Sequence, residues 1–482
     1  MVSTPSLFSP THRRSTIALA ALPFLVAFEA LAVSTVMPRA AEELGGVSLY
    51  PLVFAAPLAT SLVSIVVAGA WNDRQGPMRV MTVGLVVFCA ALFVVGLAPS
   101  MAVLVAGRAL QGLGMGFVTV SLYVLIARLY PPSLQPRMFT VLSAAWVVPG
   151  LVGPALAGWV TEVAGWRIVF LAVPFLVLPA RLLLQDPTGA ASVPGEEAAD
   201  ADLVPTGSPT GSASGTASRT TRPPLIAACA AALGVAALSV IGEQAEGSLS
   251  GATVPLLVVA LALVAFTVPR LLPRRVLFSP DRVGRLVMAR GVLAASFVLA
   301  EVYLPLQLVA RYGMSPAHAG LILTVSTVTW FAGAWMAGRE MLPERARIPA
   351  GAAAMALGTL ATAAVLLGGH SPWLAGLTWC LTGLGMGLAF TSTSILTMRR
   401  SHPARQGRNS AALQVAEALT QSVMLALTGV AFQVLLQDRG ETSPAPYAAM
   451  FASATALAVV GVVVGVATRR KAGGRSRPGL PR

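Results

Sequence analysis

Apolar stretches of about 20 residues recur along the whole chain, separated mostly by short polar turns. That is the length of helix that crosses a bilayer, and a helix satisfies its own backbone hydrogen bonds in hydrocarbon. With 56% hydrophobic and 11% charged residues, the chain has too little charge to coat a soluble protein of 482 residues. Strands of a membrane barrel would read as short alternating segments instead. The chain reads as an all-α polytopic membrane protein.

Six spans come first, near residues 17–38, 49–71, 78–98, 101–127, 138–161 and 166–185. The first follows His12-Arg13-Arg14 like the start of a signal peptide, but it is too long and too many spans follow, so it reads as an uncleaved helix. Residues 186–224 are rich in Gly, Ser, Thr and Pro and nearly free of large apolar side chains, which predicts a flexible linker. Two spans near 225–241 and 252–269 and an arginine-rich turn fill 225–285. Six more spans, near 286–308, 317–338, 348–368, 372–397, 410–436 and 446–468, precede a basic tail at 469–482. The expected architecture is fourteen transmembrane helices: an N-terminal six-helix bundle over 1–185, two extra helices, and a C-terminal bundle over 286–468.

The net charge of +14 invites a nucleic-acid reading, which its distribution disfavours. Lys and Arg fall overwhelmingly in the turns on the side of the two termini. This is the positive-inside pattern. It predicts cytoplasmic N- and C-termini, a plasma-membrane location and no nucleic-acid partner. Cys89, Cys229 and Cys380 are scattered through apolar spans, and four histidines lie in termini and turns, so neither a metal site nor a cofactor is expected.

The halves are related. Gly112-Leu113-Gly114-Met115-Gly116 recurs 271 residues later as Gly383-Leu384-Gly385-Met386-Gly387, Gly158 falls on Gly429, and Glu29 falls one residue from Glu301. Parallel repeats around a central cavity are a known transporter plan. Ionisable residues inside spans are costly and mark function. Those singled out are Glu29, Arg108, Glu301 and Glu417, with Gln111 beside Arg108. Glu29 and Arg108 lie at similar depth and can pair, as a structural lock or a proton site. Glu417 shares a helix face with Gln414 and Gln421, and Tyr303 and Gln307 accompany Glu301. With Trp146, these polar residues are candidates for a substrate cavity. Three acids against one arginine favour a positively charged substrate.

Three motifs sit at the correct helices. Gly69-Ala70-Trp71-Asn72-Asp73-Arg74-Gln75-Gly76-Pro77-Met78-Arg79 resembles the loop 2–3 motif of the major facilitator superfamily. Arg108-x-x-Gln111-Gly112-x-Gly114-x-Gly116 resembles its helix 4 motif. Gly150-x-x-Gly153-Pro154-x-x-x-Gly158 resembles the helix 5 motif of its antiporters. Phe28-Glu29 with Thr35-x-x-Pro38 is similar to the first-helix motif of the fourteen-span drug:proton antiporters, with Glu where many members have Asp. The resemblance implies the major facilitator fold and alternating access by two rocking bundles. It makes Glu29, Arg108, Gln111, Glu301 and Glu417 proton-coupling candidates. Gly69, Asp73, Arg74, Gly76 and Arg79 become a conformational latch, and Gly150, Gly153, Pro154 and Gly158 an interface seal. The loop 2–3 motif departs from the pattern at Pro77 and Met78, and Trp379 stands where Arg108 would repeat.

No phosphate-binding G-x-x-x-x-G-K-[ST] loop is present, so ATP is not expected as the driver. The best reading is a monomeric, proton-coupled exporter of small amphipathic or cationic compounds, with protons, substrate and lipid as its partners. A proton:nutrient symporter of the same fold is the alternative; a lipid-acting enzyme and a non-transporting sensor are more distant ones.

Overall fold

The computed structural model describes residues 7–10, 12–131, 133–184, 222–244, 253–271, 282–401, 406–440 and 443–468. These form fourteen α-helices. The first group is α1 (Arg13–Glu43), α2 (Tyr50–Gln75), α3 (Pro77–Gly96), α4 (Met101–Leu129), α5 (Gln135–Ala164) and α6 (Trp166–Leu182). Next come α7 (Arg222–Gln244) and α8 (Thr253–Leu271). The last group is α9 (Arg282–Tyr312), α10 (Pro316–Gly338), α11 (Glu344–Leu367), α12 (Pro372–Arg400), α13 (Gln406–Arg439) and α14 (Pro444–Ala467). A 3-10 turn, Val47–Leu49, leads into α2. Helix α7 begins inside the stretch expected as linker; the rest of that stretch and the basic tail lie outside the described residues.

Helix ends follow their local chemistry. Gly76 and Gly165 take φ of +80° and +85°, a region open to glycine without strain, and reverse the chain in a single residue before Pro77 and Trp166. Pro77 then starts α3, where its missing N–H costs nothing. Ser100, Ser315 and Ser443 cap α4, α10 and α14 through side-chain oxygens.

Ten of these helices are individually long and apolar enough to span a bilayer. The residues 148–164 of α5 and helix α6 pass only as a pair, bent by 116° at Gly165, and α7 and α8 carry shorter apolar cores, Leu225–Leu238 and Val258–Thr267. The outward faces are unfit for water: Phe175, Leu182, Leu377 and Val463 are 70%, 75%, 70% and 64% exposed. Lipid is the medium in which such a surface is stable.

The same pairings occur in both groups of six. Helix α2 packs on α4, α3 on α4 and α1 on α5; likewise α10 packs on α12, α11 on α12 and α9 on α13. The repeated glycines explain the closeness of α4 and α12 to their neighbours. A Cβ on Gly112 would lie 2.1 Å from the Pro57 carbonyl of α2, and one on Gly114 2.7 Å from the Phe88 nitrogen of α3. In the second group a Cβ on Gly387 would lie 1.9 Å from the Trp330 carbonyl of α10, and one on Gly385 2.4 Å from the Gly351 carbonyl of α11. Each frame splits its glycines between two neighbours in the same order.

The groups meet along two main seams, α2 with α13 and α5 with α10, and α1 also touches α9. Helix α7 packs on both α2 and α13, and α8 packs on α7. Contacts across the seams concentrate at the end away from the termini. There Tyr50 donates to the Val302 carbonyl at 3.0 Å, and the Gln433 amide to the carbonyls of Val47 and Ser48 at 3.2 and 2.7 Å. The Ala317 N–H donates to Glu162 at 3.1 Å.

Candidate functional site

Helices α1, α2 and α4 build one polar cluster inside the apolar first bundle. Arg108 donates through Nη1 to Glu29 Oε1 and to Gln111 Oε1, each at 2.5 Å. The Gln111 amide nitrogen donates to the other Glu29 oxygen. Arg108 Nε donates to the Val53 carbonyl of α2 at 3.1 Å. That carbonyl is available because Pro57, four residues on, has no N–H to give it. Glu29, Arg108 and Gln111 are 1%, 5% and 0% exposed. The carboxylate thus has a donor on each oxygen and a compensating charge, the conditions under which a buried ion is tolerated.

A cavity of about 320 Å³ lies between the groups, nearer the end carrying the termini. Pro23, Val26, Leu122, Leu142 and Trp146 give it apolar walls, and Tyr123 and Gln414 give it polar ones. Pro23 is six residues from Glu29 along α1, so the cluster lies roughly 9 Å deeper than that wall, toward the end away from the termini.

The second group holds a buried arginine that the sequence reading assigned to the basic turns. Arg290 of α9 is 9% exposed and donates to Glu417 of α13 at 2.9 Å. It also donates to the Phe390 carbonyl at 3.1 Å and to Ser394 at 2.8 Å, with its guanidinium carbon 3.0 Å from the Phe390 ring centre. The expected balance of three acids against one arginine is therefore corrected to three against two. Arg290 sits only a few residues into its helix after a run of arginines, where charge patterning alone reads it as part of the basic face. Its apolar flanks, Val287-Met288-Ala289 and Gly291-Val292-Leu293, were the available signal.

Of the other residues named from sequence, Trp146 and Gln414 line the cavity. Gln421 lies two turns from Gln414 on α13 and makes only a 3.4 Å contact with the Ala294 carbonyl. Tyr303 and Gln307 lie elsewhere: both are fully buried, Tyr303 between Tyr50 and Phe432 toward the end away from the termini. Glu301 is half-buried, with no hydrogen-bond or ion-pair partner among the described residues. Around the α2–α3 turn, Gly69 of α2 is exposed, Gly76 makes the reversal, Arg79 of α3 is exposed, and Arg74 of α2 borders a cavity of about 270 Å³ with Trp71 and Leu225. The Asp73 side chain lies outside the described set. On α5, a Cβ on Gly150 would meet Thr327 at 2.5 Å and one on Gly158 would meet Ala317 at 2.5 Å, so this face forms the α5–α10 seam. Pro154 takes part through its carbonyl, which a Cβ on Gly320 would approach to 2.4 Å, whereas Gly153 faces Phe28 of α1.

Residues 19–425 match the profile of the Major Facilitator Superfamily. The chain belongs to that superfamily. Its relatives are transporters, and it is a multi-pass membrane transporter rather than an enzyme. A Mycobacterium tuberculosis protein described as a "probable multidrug-efflux transporter" is 29% identical over 439 residues, covering 89% of this chain and 88% of its own. The Staphylococcus aureus multidrug efflux pump SdrM is 26% identical over 170 residues, 35% of this chain and 38% of its own. Among solved structures, an inward-facing, occupied bacterial homologue of the lysosomal transporter Spinster superposes with a TM-score of 0.63 at 14% identity, covering 95% of this chain and 96% of its own. An autoinhibited peptide transporter of the POT family superposes with a TM-score of 0.64 at 15% identity, covering 96% and 99%. At such identities these superpositions speak to the fold, and the fold is the superfamily's.

Proposed function

We propose that the protein is a proton-coupled exporter of small amphipathic compounds that works by alternating access across the plasma membrane. The basic end that carries the termini faces the cytoplasm, by the positive-inside rule. The cavity then lies on the cytoplasmic side, with the hydrogen bonds between the groups at the opposite end, the arrangement from which an exporter loads. The observation that carries the reading is Glu29 of α1, a buried carboxylate held by two donors of α4, Arg108 and Gln111, that a shift of α1 against α4 would withdraw. Arg108 compensates the ionised carboxylate, and its withdrawal removes that compensation. A shift of α1 within the first bundle that accompanies rocking thus becomes proton uptake and release. The protein's similarity to proteins described as multidrug-efflux transporters supports the export direction.

The driving force suffices. One pH unit supplies about 1.4 kcal/mol per proton and 100 mV about 2.3, enough for a few-hundred-fold substrate gradient under full coupling. In everted vesicles, Glu29→Gln is expected to abolish substrate-induced proton release while the protein still inserts. Unchanged proton release by that variant would remove Glu29 from the coupling role.

A further inference from the structure

The small-residue face of α5 ends in an acid. Gly150, Pro154 and Gly158 recur every fourth residue along the α5–α10 seam, and Glu162 is the next in that series. The series brings the two backbones together: at Gly158 an added Cβ would lie 2.5 Å from Ala317 Cα and 2.7 Å from the Pro316 carbonyl oxygen. One turn on, Glu162 therefore stands at the first turn of α10. Pro316 there has no N–H, and the His318 N–H donates at 3.4 Å to Ser315, the cap of its own helix. The Ala317 N–H donates across the seam instead, to Glu162 Oε1 at 3.1 Å. The Ser315 hydroxyl lies within hydrogen-bonding reach of the same carboxylate. An acid of the first bundle thus caps a helix of the second. The N-terminus of a helix is the positive end of its dipole, so charge favours this cap as well as the hydrogen bond.

The surroundings leave that charge to α10. Beside Glu162 is a cavity of about 320 Å³, lined also by Arg39 and Glu42 of α1, Val309 and Met314 of α9 and Pro316 of α10. Arg39 pairs with Glu42 at 2.7 Å and so has its own partner. The contacts of Tyr50 with Val302 and of Gln433 with Val47 and Ser48, at the same end of the molecule, join uncharged groups. The Glu162 contact exists only while α5 and α10 lie together. When they part, the carboxylate passes to water and the Ala317 N–H loses its partner from the other bundle.

We propose that Glu162 is the latch of the outer end: its charge, set on the N-terminus of α10 from the other bundle, holds that end closed and fixes how often it opens. In this role it touches no substrate and acts by positioning α10 against α5. The proposal rests on the alternating-access reading above and adds an electrostatic contribution to the balance between its states. A helix cap with a charge at the helix end shifts a two-state equilibrium roughly threefold or more.

The test is the rate at which a membrane-impermeant maleimide, added outside intact cells, labels Thr35→Cys in the full-length chain with Cys89, Cys229 and Cys380 replaced by alanine. Thr35 of α1 is fully buried, and its Cγ2 would lie 2.9 Å from a Cβ on Gly320 of α10, so labelling requires the seam to open. The rate follows the open fraction even where that fraction is small. Ala375→Cys, at a fully buried position of α12, reports loosening of the second bundle itself. Glu162→Ala is expected to speed labelling of Thr35→Cys roughly threefold or more. Glu162→Lys, which sets a like charge on the helix end, should speed it further. Glu162→Gln, which keeps an acceptor without the charge, should fall between wild type and Glu162→Ala. Ala375→Cys should stay unlabelled throughout. A wild-type rate in Glu162→Ala or Glu162→Lys overturns the latch alone. So does labelling of Ala375→Cys that rises in step, which would make the acid a support of the bundle. Absence of labelling at Thr35→Cys in every chain overturns the latch and the alternating-access reading together.

Discussion

Val53 contributes a carbonyl and nothing more to the Glu29 cluster, yet the position of Arg108 depends on it. Pro57 leaves that oxygen without its helical donor, and Arg108 Nε takes the vacancy, so one guanidinium ties α4 to both α1 and α2. Removing one member of such a pair strands the other. Arg108→Leu is expected to cost about 3–5 kcal/mol, and the double variant Arg108→Leu with Glu29→Leu much less, because no charge is left uncompensated. Thermal unfolding in detergent measures both. A double variant as unstable as the single would place the cost in packing instead. The pairing of Glu29 with Arg108 was legible in the sequence, since both lie deep in apolar spans at similar height. That of Glu417 with Arg290 was not: the residues are 127 positions apart, and no local pattern joins them. Tyr303 and Gln307 show a converse limit. Polar side chains on a membrane helix are expected to face protein or water, and sequence does not say which; here they face protein.

At the scale of elements, the glycine frames of α4 and α12 set how closely three helices approach in each bundle. The backbone of the neighbour stands where a Cβ would go at Gly387, so Gly387→Ala requires α12 and α10 to separate and should cost about 1–3 kcal/mol. Gly69 is the contrast: it is exposed on α2 with nothing within 4 Å of its added Cβ, and Gly69→Ala should raise stability by about 0.5–1 kcal/mol. Melting of the two variants side by side checks the pair. A Gly387→Ala protein that melts like wild type would show that the helices have room to spare. The repeat of Gly-Leu-Gly-Met-Gly predicted shared packing. The division of its glycines, alternate ones to different neighbours, came only with the helices in place. The seating of α7 and α8 was equally hidden, because an apolar span facing lipid and one facing a seam have nearly the same composition.

Across the whole molecule the hydrogen bonds between the groups gather at the end away from the termini, and the cavity lined by Pro23, Trp146 and Gln414 lies toward the termini. A Cβ on Gly429 of α13 would lie 2.9 Å from Pro51 Cβ of α2, so a disulfide between cysteines at 51 and 429, which needs about 3.5–4.5 Å, should clamp these helices after a small separation. The oxidised double variant is expected to bind substrate from the cytoplasmic side but not to transport it, and reduction should restore transport. Turnover by the oxidised form would mean that these helices do not part at this level. One further consequence follows from where α7 sits. It rests on α2 of one bundle and α13 of the other, so in the proposed alternating-access cycle it cannot follow both as they part and has to slide along at least one of them. The face it keeps buried is Ala227, Ala228 and Ala231 before Val235 and Leu238. Short methyl groups offer shallow ridges and little to interlock, a surface suited to shear rather than to locking. Larger side chains on that face would act as a brake, felt in turnover before affinity.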